Sequence, residues 1–168
     1  DILNDIWGFR QMGHHPQLSA AQVVAASGAC GLCVMHMHGE PQSMQLSPMQ
    51  GDVVEQVVDF LRDQTSQLVQ MGIDAQRIVV DPGIGFGKTV AQNFSLLGQQ
   101  RGLLALGYPL LVGWSRKSSL AAATGMQAQE DRLIPSIAAA VLAVERGAKI
   151  VRVHDVAATL AALKIGMQ

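Results

Sequence analysis

Val79-Val80-Asp81-Pro82-Gly83-Ile84-Gly85-Phe86-Gly87-Lys88 carries the deciding pattern of the chain. With Ile78 ahead of it, the stretch opens as a short β-branched run, which reads as a strand buried on both faces. The run stops on an acid, Asp81. Proline offers no N–H to a ladder and glycine tolerates positive φ, so Pro82 with Gly83, Gly85 and Gly87 forces a loop. Strand, acid, glycine loop and then a cation make a βα-loop at the carboxyl end of a parallel strand, where α/β folds bind ligands. A glycine loop alone is equally the mark of a plain tight turn.

Outward from this stretch the same alternation repeats. Apolar runs stand at Ile2-Leu3 and at residues 31–37, 77–81, 109–113 and 149–153. Helical spacing is expected over residues 17–29, 52–71, 93–106, 132–146 and 157–165. In the second of these, Val54, Val58, Leu61, Thr65 and Leu68 form one stripe. Pro135 is expected at the first or second position of its helix, where a missing N–H costs nothing. Five strand–helix units imply an α/β fold with parallel strands and crossover helices. That leaves a doubly wound sheet or part of a (β/α)8 barrel, which typically needs about 250 residues.

The 168 residues carry a formal net charge of −1 with 49% hydrophobic and 15% charged residues, enough for one core and too apolar for disorder. Near-zero charge without basic runs argues against a nucleic-acid partner. No apolar run approaches the roughly 20 residues of a membrane span. The chain begins at Asp1 without a leader, so a cytoplasmic location is expected. Cys30 and Cys33, followed by His36 and His38, could be a redox pair or a metal site. The pair leads into an apolar strand, however, which puts Cys33 and Met35 on one face and His36 and His38 on the other. Two small buried thiols are the expectation.

Asp-Pro-Gly-Ile-Gly-Phe-Gly-Lys (81–88), with Asn93 and Leu96-Leu97 beyond, closely resembles a signature of the dihydropteroate synthases. Other stretches fall in the family's order. Leu3-Asn4-Asp5-Ile6-Trp7-Gly8 is similar to its fourth barrel strand. Met35-His36-Met37-His38-Gly39, with Pro41, Met44 and Gln45, is similar to its fifth, departing at His38, where glutamine or arginine is commoner. Pro109-Leu110-Leu111-Val112-Gly113-Trp114-Ser115-Arg116-Lys117-Ser118 ends a buried strand at a glycine that lets a flat ligand approach, then sets two cations at its top. Arg152-Val153-His154-Asp155-Val156 closes the series. Arg152 and His154, two apart, share a face at a strand's carboxyl end, and an arginine with an imidazole suits a diphosphate. Asp155 either orients His154 or caps the next helix, the cap being favoured.

The resemblance implies a (β/α)8 barrel of which this chain, residues 1–168, supplies about the last five βα units of a pterin-binding domain. It implies a transferase of folate biosynthesis that condenses (7,8-dihydropterin-6-yl)methyl diphosphate with p-aminobenzoate. Asn4, Ile6, Met35, Asp81, Gly113 and Lys117 would hold the pterin. Phe86, Lys117 and Ser118 would face p-aminobenzoate, and Arg152 and His154 would take the diphosphate. Lys117, Arg152 and His154 are the expected catalytic residues. A carboxylate such as Asp81 accepts two parallel N–H bonds, as the amidine edge of a 2-amino-4-oxopteridine demands. Magnesium is the implied cofactor, with its ligand outside these residues, and a homodimer is possible. Three earlier strands of the family pattern have no counterpart here, so the 168 residues alone are expected to be inactive. Two other readings are open: a methyltetrahydrofolate methyltransferase, which needs no diphosphate clamp, and a pterin-binding remnant without chemistry.

Overall fold

The computed structural model describes residues 1–10, 18–28 and 30–166. Among these residues five parallel strands alternate with six α-helices. In chain order they are β1 (Ile2–Asp5), α1 (Ala20–Ser27), β2 (Gly31–Met35), α2 (Val53–Gln70), β3 (Ile78–Asp81), α3 (Val90–Gly98), β4 (Leu111–Val112), α4 (Ser118–Thr124), α5 (Leu133–Glu145), β5 (Ile150–Val151) and α6 (Val156–Gly166).

The strands lie side by side in sequence order. β1 pairs with β2 and β2 with β3, a bridge from Val80 to Leu110 joins β3 to the start of β4, and β4 pairs with β5. A doubly wound sheet reverses its strand order at a switch point, and this one does not. The arrangement is that of consecutive units of a (β/α)8 barrel.

Side-chain alternation sorts the strands into two faces. Leu32, Val34, Ile78, Val80, Leu110 and Val112 pack outward with the helices in one large core. Cys33, Val79 and Leu111 meet Ile150 on the other side in a small inner cluster. Cys33 is sealed there, and burial beside the Asp81 charge pushes its thiol pKa up to about 12, so it is an inert apolar filler.

α2 shows how the outer layer is built. Asp52 caps it by accepting from the backbone N–H groups of Val54 and Glu55 at 2.9 and 3.2 Å. Its buried face is Val53, Val57, Leu61, Thr65 and Leu68. The expected stripe is therefore right from Leu61 onward but shifted by one residue before it, because both members of each valine pair are apolar and only packing chooses between them. Truncating Leu61, which is fully enclosed, to alanine would cost about 2–5 kcal/mol.

Other boundaries differ for physical reasons. The helix expected over 93–106 starts earlier, at a Thr89 capping box, and breaks after Gly98 into a 3-10 turn, Gln100–Leu106. The first helix is seen from Ala20, behind a Ser19 capping box; Gln17 and Ala29 of the expected span lie outside the described residues. Pro135 is the third residue of α5, still in the first turn, and not the first or second. The second strand ends at Met35 and not Met37. His36 N–H still donates to Asp81 O at 2.9 Å, after which the glycine loop has no strand to offer. The last two strands are only two residues long, shorter than the apolar runs at 109–113 and 149–153.

Candidate functional site

Register alone gathers the candidates. Asn4 is paired with Cys33, and Met35 with Asp81. Gly113 and Arg152 each follow by two the inward residues Leu111 and Ile150. The inner face therefore presents Asn4, Met35, Asp81, Gly113 and Arg152 at the carboxyl ends of five successive strands. A larger apolar cleft, about 490 Å3, lies between β1 and β5 and includes Ile2, Leu111, Ile150 and Leu160. A smaller one of about 240 Å3 lies at the carboxyl ends, between Phe86, Gly113, Ser115, Lys117, Arg152, Val153 and His154. The chemistry sits at the smaller.

Asp81 lies behind Arg152, which lines this cleft, and is wholly buried. Its Oδ1 accepts from Gly83 N–H at 2.8 Å. Its Oδ2 has no well-aligned hydrogen bond, although Arg152 Nη1 stands 3.0 Å away. The same Nη1 donates to Asn4 Oδ1 at 2.7 Å. Burial pushes the Asp81 carboxyl above its ordinary value, against the opposing pull of Arg152, the Gly83 N–H and Lys117.

The loop from Gly83 to Lys88 turns back over β2. Gly83 and Gly87 have φ of 67° and 68°. A Cβ on Gly83 would fall 1.8 Å from His36 O, and one on Gly87 2.2 Å from His38 O, so only glycine fits either position. Gly85 N–H donates to Asn93 Oδ1, and Gln45 Nε2 to Gly85 O, both at 2.8 Å. Lys88 is buried beneath the loop. Its Nζ donates to Gly83 O at 3.0 Å and Phe86 O at 3.1 Å, and meets His36 Nδ1 at 2.8 Å. Burial brings its pKa down to about 7, and holds His36 far below the ordinary imidazole range, with the Lys88 charge adding to the effect.

Lys117 rises beside this loop with its ammonium 4.4 Å from the centre of the Phe86 ring, a cation–π contact. Burial lowers its pKa, opposed by the nearby Asp81. Ser118 is exposed at the start of α4, and Ile6 is half-buried in the turn after β1. The chain enters that turn at Asp5, whose carboxylate accepts from Trp7 and Phe9 N–H at 3.1 and 2.6 Å.

Several residues sit otherwise than their spacing suggested. Arg152 and His154 both line the smaller cleft but hold different partners. Arg152 turns inward to Asn4 and Asp81, while His154 Nδ1 is 2.9 Å from Ser115 Oγ, which also accepts from His154 N–H at 3.2 Å. The two-residue β5 ends before them, so strand alternation no longer governs His154. Asp155 does not cap α6 with its side chain. Its two oxygens take Arg116 Nη2 and Nε at 2.8 and 3.2 Å, which also explains how Arg116 keeps a positive φ of 60°. The space above Gly113 is not open in this state; a Cβ there would lie 2.8 Å from Arg152 Nη2. Met35 is fully enclosed and acts as core packing.

Sequence reasoning missed Ser115 as a partner of His154 and Lys88 as an interior group. Nothing local marks a serine for a histidine 39 positions on, and a lysine closing a glycine loop normally points to water. Among the described residues, no three His, Cys, Asp or Glu side chains converge on a metal position.

Residues 1–154 match the family model described as pterin binding enzyme. This chain belongs to the pterin-binding enzyme family. The dihydropteroate synthase of Neisseria meningitidis serogroup C is 44% identical over 165 residues, covering 98% of this chain and 56% of that protein. A crystal structure of the dihydropteroate synthase from Stenotrophomonas maltophilia, with active-site-bound imidazole, superposes with a TM-score of 0.92 at 44% identity, over 99% of this chain and 60% of that one. That of Burkholderia cenocepacia, complexed with 7,8-dihydropteroate, gives 0.86 at 48% identity over 99% and 60%. This member of the pterin-binding family thus spans little more than half the length of the relatives it matches. Among its described residues no helix is long and apolar enough to cross a membrane.

Proposed function

We propose that the protein carrying this chain is a dihydropteroate synthase. It joins the methylene carbon of (7,8-dihydropterin-6-yl)methyl diphosphate to the amino nitrogen of p-aminobenzoate. The supporting observation is Asp81, a fully buried carboxylate with one oxygen lacking an aligned donor, beside Arg152 of the cationic cleft. A buried carboxylate is costly unless a ligand or partner completes its bonds. The N–H pair of a 2-aminopyrimidinone edge does so, with Asn4 beside it to answer a mixed donor and acceptor pattern.

In this reading the aniline nitrogen attacks the methylene carbon as the carbon–oxygen bond to diphosphate breaks. The bonding pair leaves with diphosphate, and the nitrogen gives up a proton to water or to the departing anion. The aniline is already a nucleophile, so positioning and stabilisation of departing charge suffice. Lys117 stands between the pterin site and Phe86, where p-aminobenzoate would stack and its carboxylate reach Ser118. His154, held by Ser115, and Arg152, once displaced from Asp81 by the pterin, take the diphosphate. Magnesium would accompany that anion through ligands outside the described residues. The reading extends to sulfonamides as competitors of p-aminobenzoate and to a cytoplasmic homodimer.

The test supplies dihydropterin diphosphate, labelled p-aminobenzoate and magnesium to the protein expressed from its native start codon. Dihydropteroate and diphosphate should appear one for one, be suppressed by added inorganic diphosphate, and vanish in Lys117→Ala and Arg152→Ala. Pterin binding without product, and indifferent to diphosphate, would move the assignment to the methyltransferase or the non-catalytic alternative.

A further inference from the structure

The segment between Asp81 and Lys88 is the part of the site least able to hold its own shape. Three of its residues, Gly83, Gly85 and Gly87, sit at positive φ, and glycine gives up the most freedom when fixed. Yet it must deliver two groups to fixed places, a carboxylate behind Arg152 and a ring under Lys117. Most of its bonds come from outside, from Gln45, Asn93 and Met49 N–H, which donates to Gly87 O at 2.9 Å. One side chain reaches both ends of the turn from below.

We propose that Lys88 is a positioning residue of this site: its ammonium ties Gly83 O, Phe86 O and His36 Nδ1 together and so sets where Asp81 and Phe86 stand. Three acceptors within 3.1 Å match the three N–H donors of an ammonium, which leaves none unspent. An ammonium donates to His36 Nδ1, so the imidazole is neutral with its proton on Nε2. His36 is a firm anchor. Its N–H donates to Asp81 O at 2.9 Å, and its ring meets Phe60 of α2 edge-on, with centroids 4.9 Å apart. Phe60 in turn carries Arg10 at 4.7 Å from its ring centre. Lys88 therefore connects the glycine loop to β2 and, through His36, to the outer helical layer. It touches neither reacting atom. The bond to Gly83 O fixes the turn whose N–H holds Asp81 Oδ1, and the bond to Phe86 O fixes the ring that faces Lys117.

The ordering is proton-dependent. A neutral amine has two N–H donors, so on deprotonation of Lys88 either one contact is lost or the His36 ring shifts its proton to Nδ1 and donates to the amine. In both cases the charge-assisted bonds to Gly83 O and Phe86 O weaken, and burial brings that event near pH 7. The charged and titratable groups around it are His36 and His38 after β2, Asp81 on β3 and Lys117 after β4. Of these, Asp81 favours the ammonium and Lys117 disfavours it.

This inference rests on the dihydropteroate synthase reading, and its test separates the two failures. Wild type, Lys88→Met and Lys88→Gln are compared in the whole protein for KM of each substrate, kcat, circular dichroism and thermal unfolding. Lys88→Gln, one bond shorter, keeps two donors and guards against loss of the fold. Lys88→Met should raise KM for the pterin diphosphate and for p-aminobenzoate by about tenfold each, with a smaller fall in kcat. Lys88→Gln should recover part of both. In wild type the KM values should rise as pH passes from about 6 to 8, and in Lys88→Met that rise should be absent. Folded Lys88 variants with wild-type KM values, or with a wild-type pH dependence, overturn the inference. A wild-type protein without turnover overturns the parent reading instead.

Discussion

Arg152 Nη1 stands 3.0 Å from Asp81 Oδ2 and 2.7 Å from Asn4 Oδ1, so one guanidinium bridges the first and third strands from the fifth. A guanidinium is planar with parallel N–H donors, and so is the amidine edge of a pterin. On the proposed reading a pterin edge would take the place of Arg152 at Asp81, exchanging one planar donor for another, and would free Arg152 for the diphosphate.

Removing Arg152 should thus separate two affinities that a simple binding residue would not. Arg152→Ala should weaken the pterin diphosphate by about 10–100-fold, the worth of a charge-assisted contact. A pterin lacking the diphosphate should bind at least as tightly as to wild type, since its competitor at Asp81 is gone. Calorimetry with both ligands checks this, and equal losses for both would show that Arg152 serves the ring directly.

The Asp81 carboxyl is pushed above its ordinary pKa of 3.8 chiefly by burial. Only the ionised form accepts two N–H bonds, so pterin affinity should be full above the raised value and fall as acid protonates the group. The fall should begin at a higher pH than for an exposed aspartate. Titrating pterin binding against pH in wild type and Asp81→Asn should show the dependence in the first and its absence in the second.

Ser115 is buried and its hydroxyl meets the His154 ring at 2.9 Å. Ser115→Ala should leave the fold intact and lower kcat/KM by about fivefold, matching the roughly 1 kcal/mol of an ordinary hydrogen bond. The loss should be confined to the diphosphate substrate. Steady-state kinetics with each substrate varied in turn measures it.

The Arg116–Asp155 pair is bidentate and only a quarter to a third exposed. It ties the loop before α4 to the start of α6 and steadies a non-glycine residue at positive φ. Asp155→Asn should lower stability by about 1 kcal/mol, read from denaturant unfolding, with pterin affinity unchanged.

The architecture was legible because every strand but β2 ends where an apolar run meets glycine or a charge, and because such a boundary is a local event. Asp81 and the loop behind it could be read from ten consecutive residues. What escaped were choices made at a distance. Val53 and Val57 rather than Val54 and Val58 face the core, since adjacent valines carry no local phase. The seven-residue α4 has no side-chain cap on Lys117 to announce it. Lys88 is indistinguishable from a surface lysine until its three acceptors are assembled, and Asp155 meets Arg116 39 residues away. Such pairings are fixed by how the strand-end loops pack together, after the local signals have been spent.

Whether Asp81 reads the ring is decided by the heat of binding of a dihydropterin without its diphosphate to the whole protein and to its Asp81→Asn variant. Wild type should show a single site, and the variant a loss of about tenfold or more with its melting temperature preserved. Undiminished binding to a folded Asp81→Asn protein would contradict that role, because the buried carboxylate would then not be what reads the ring.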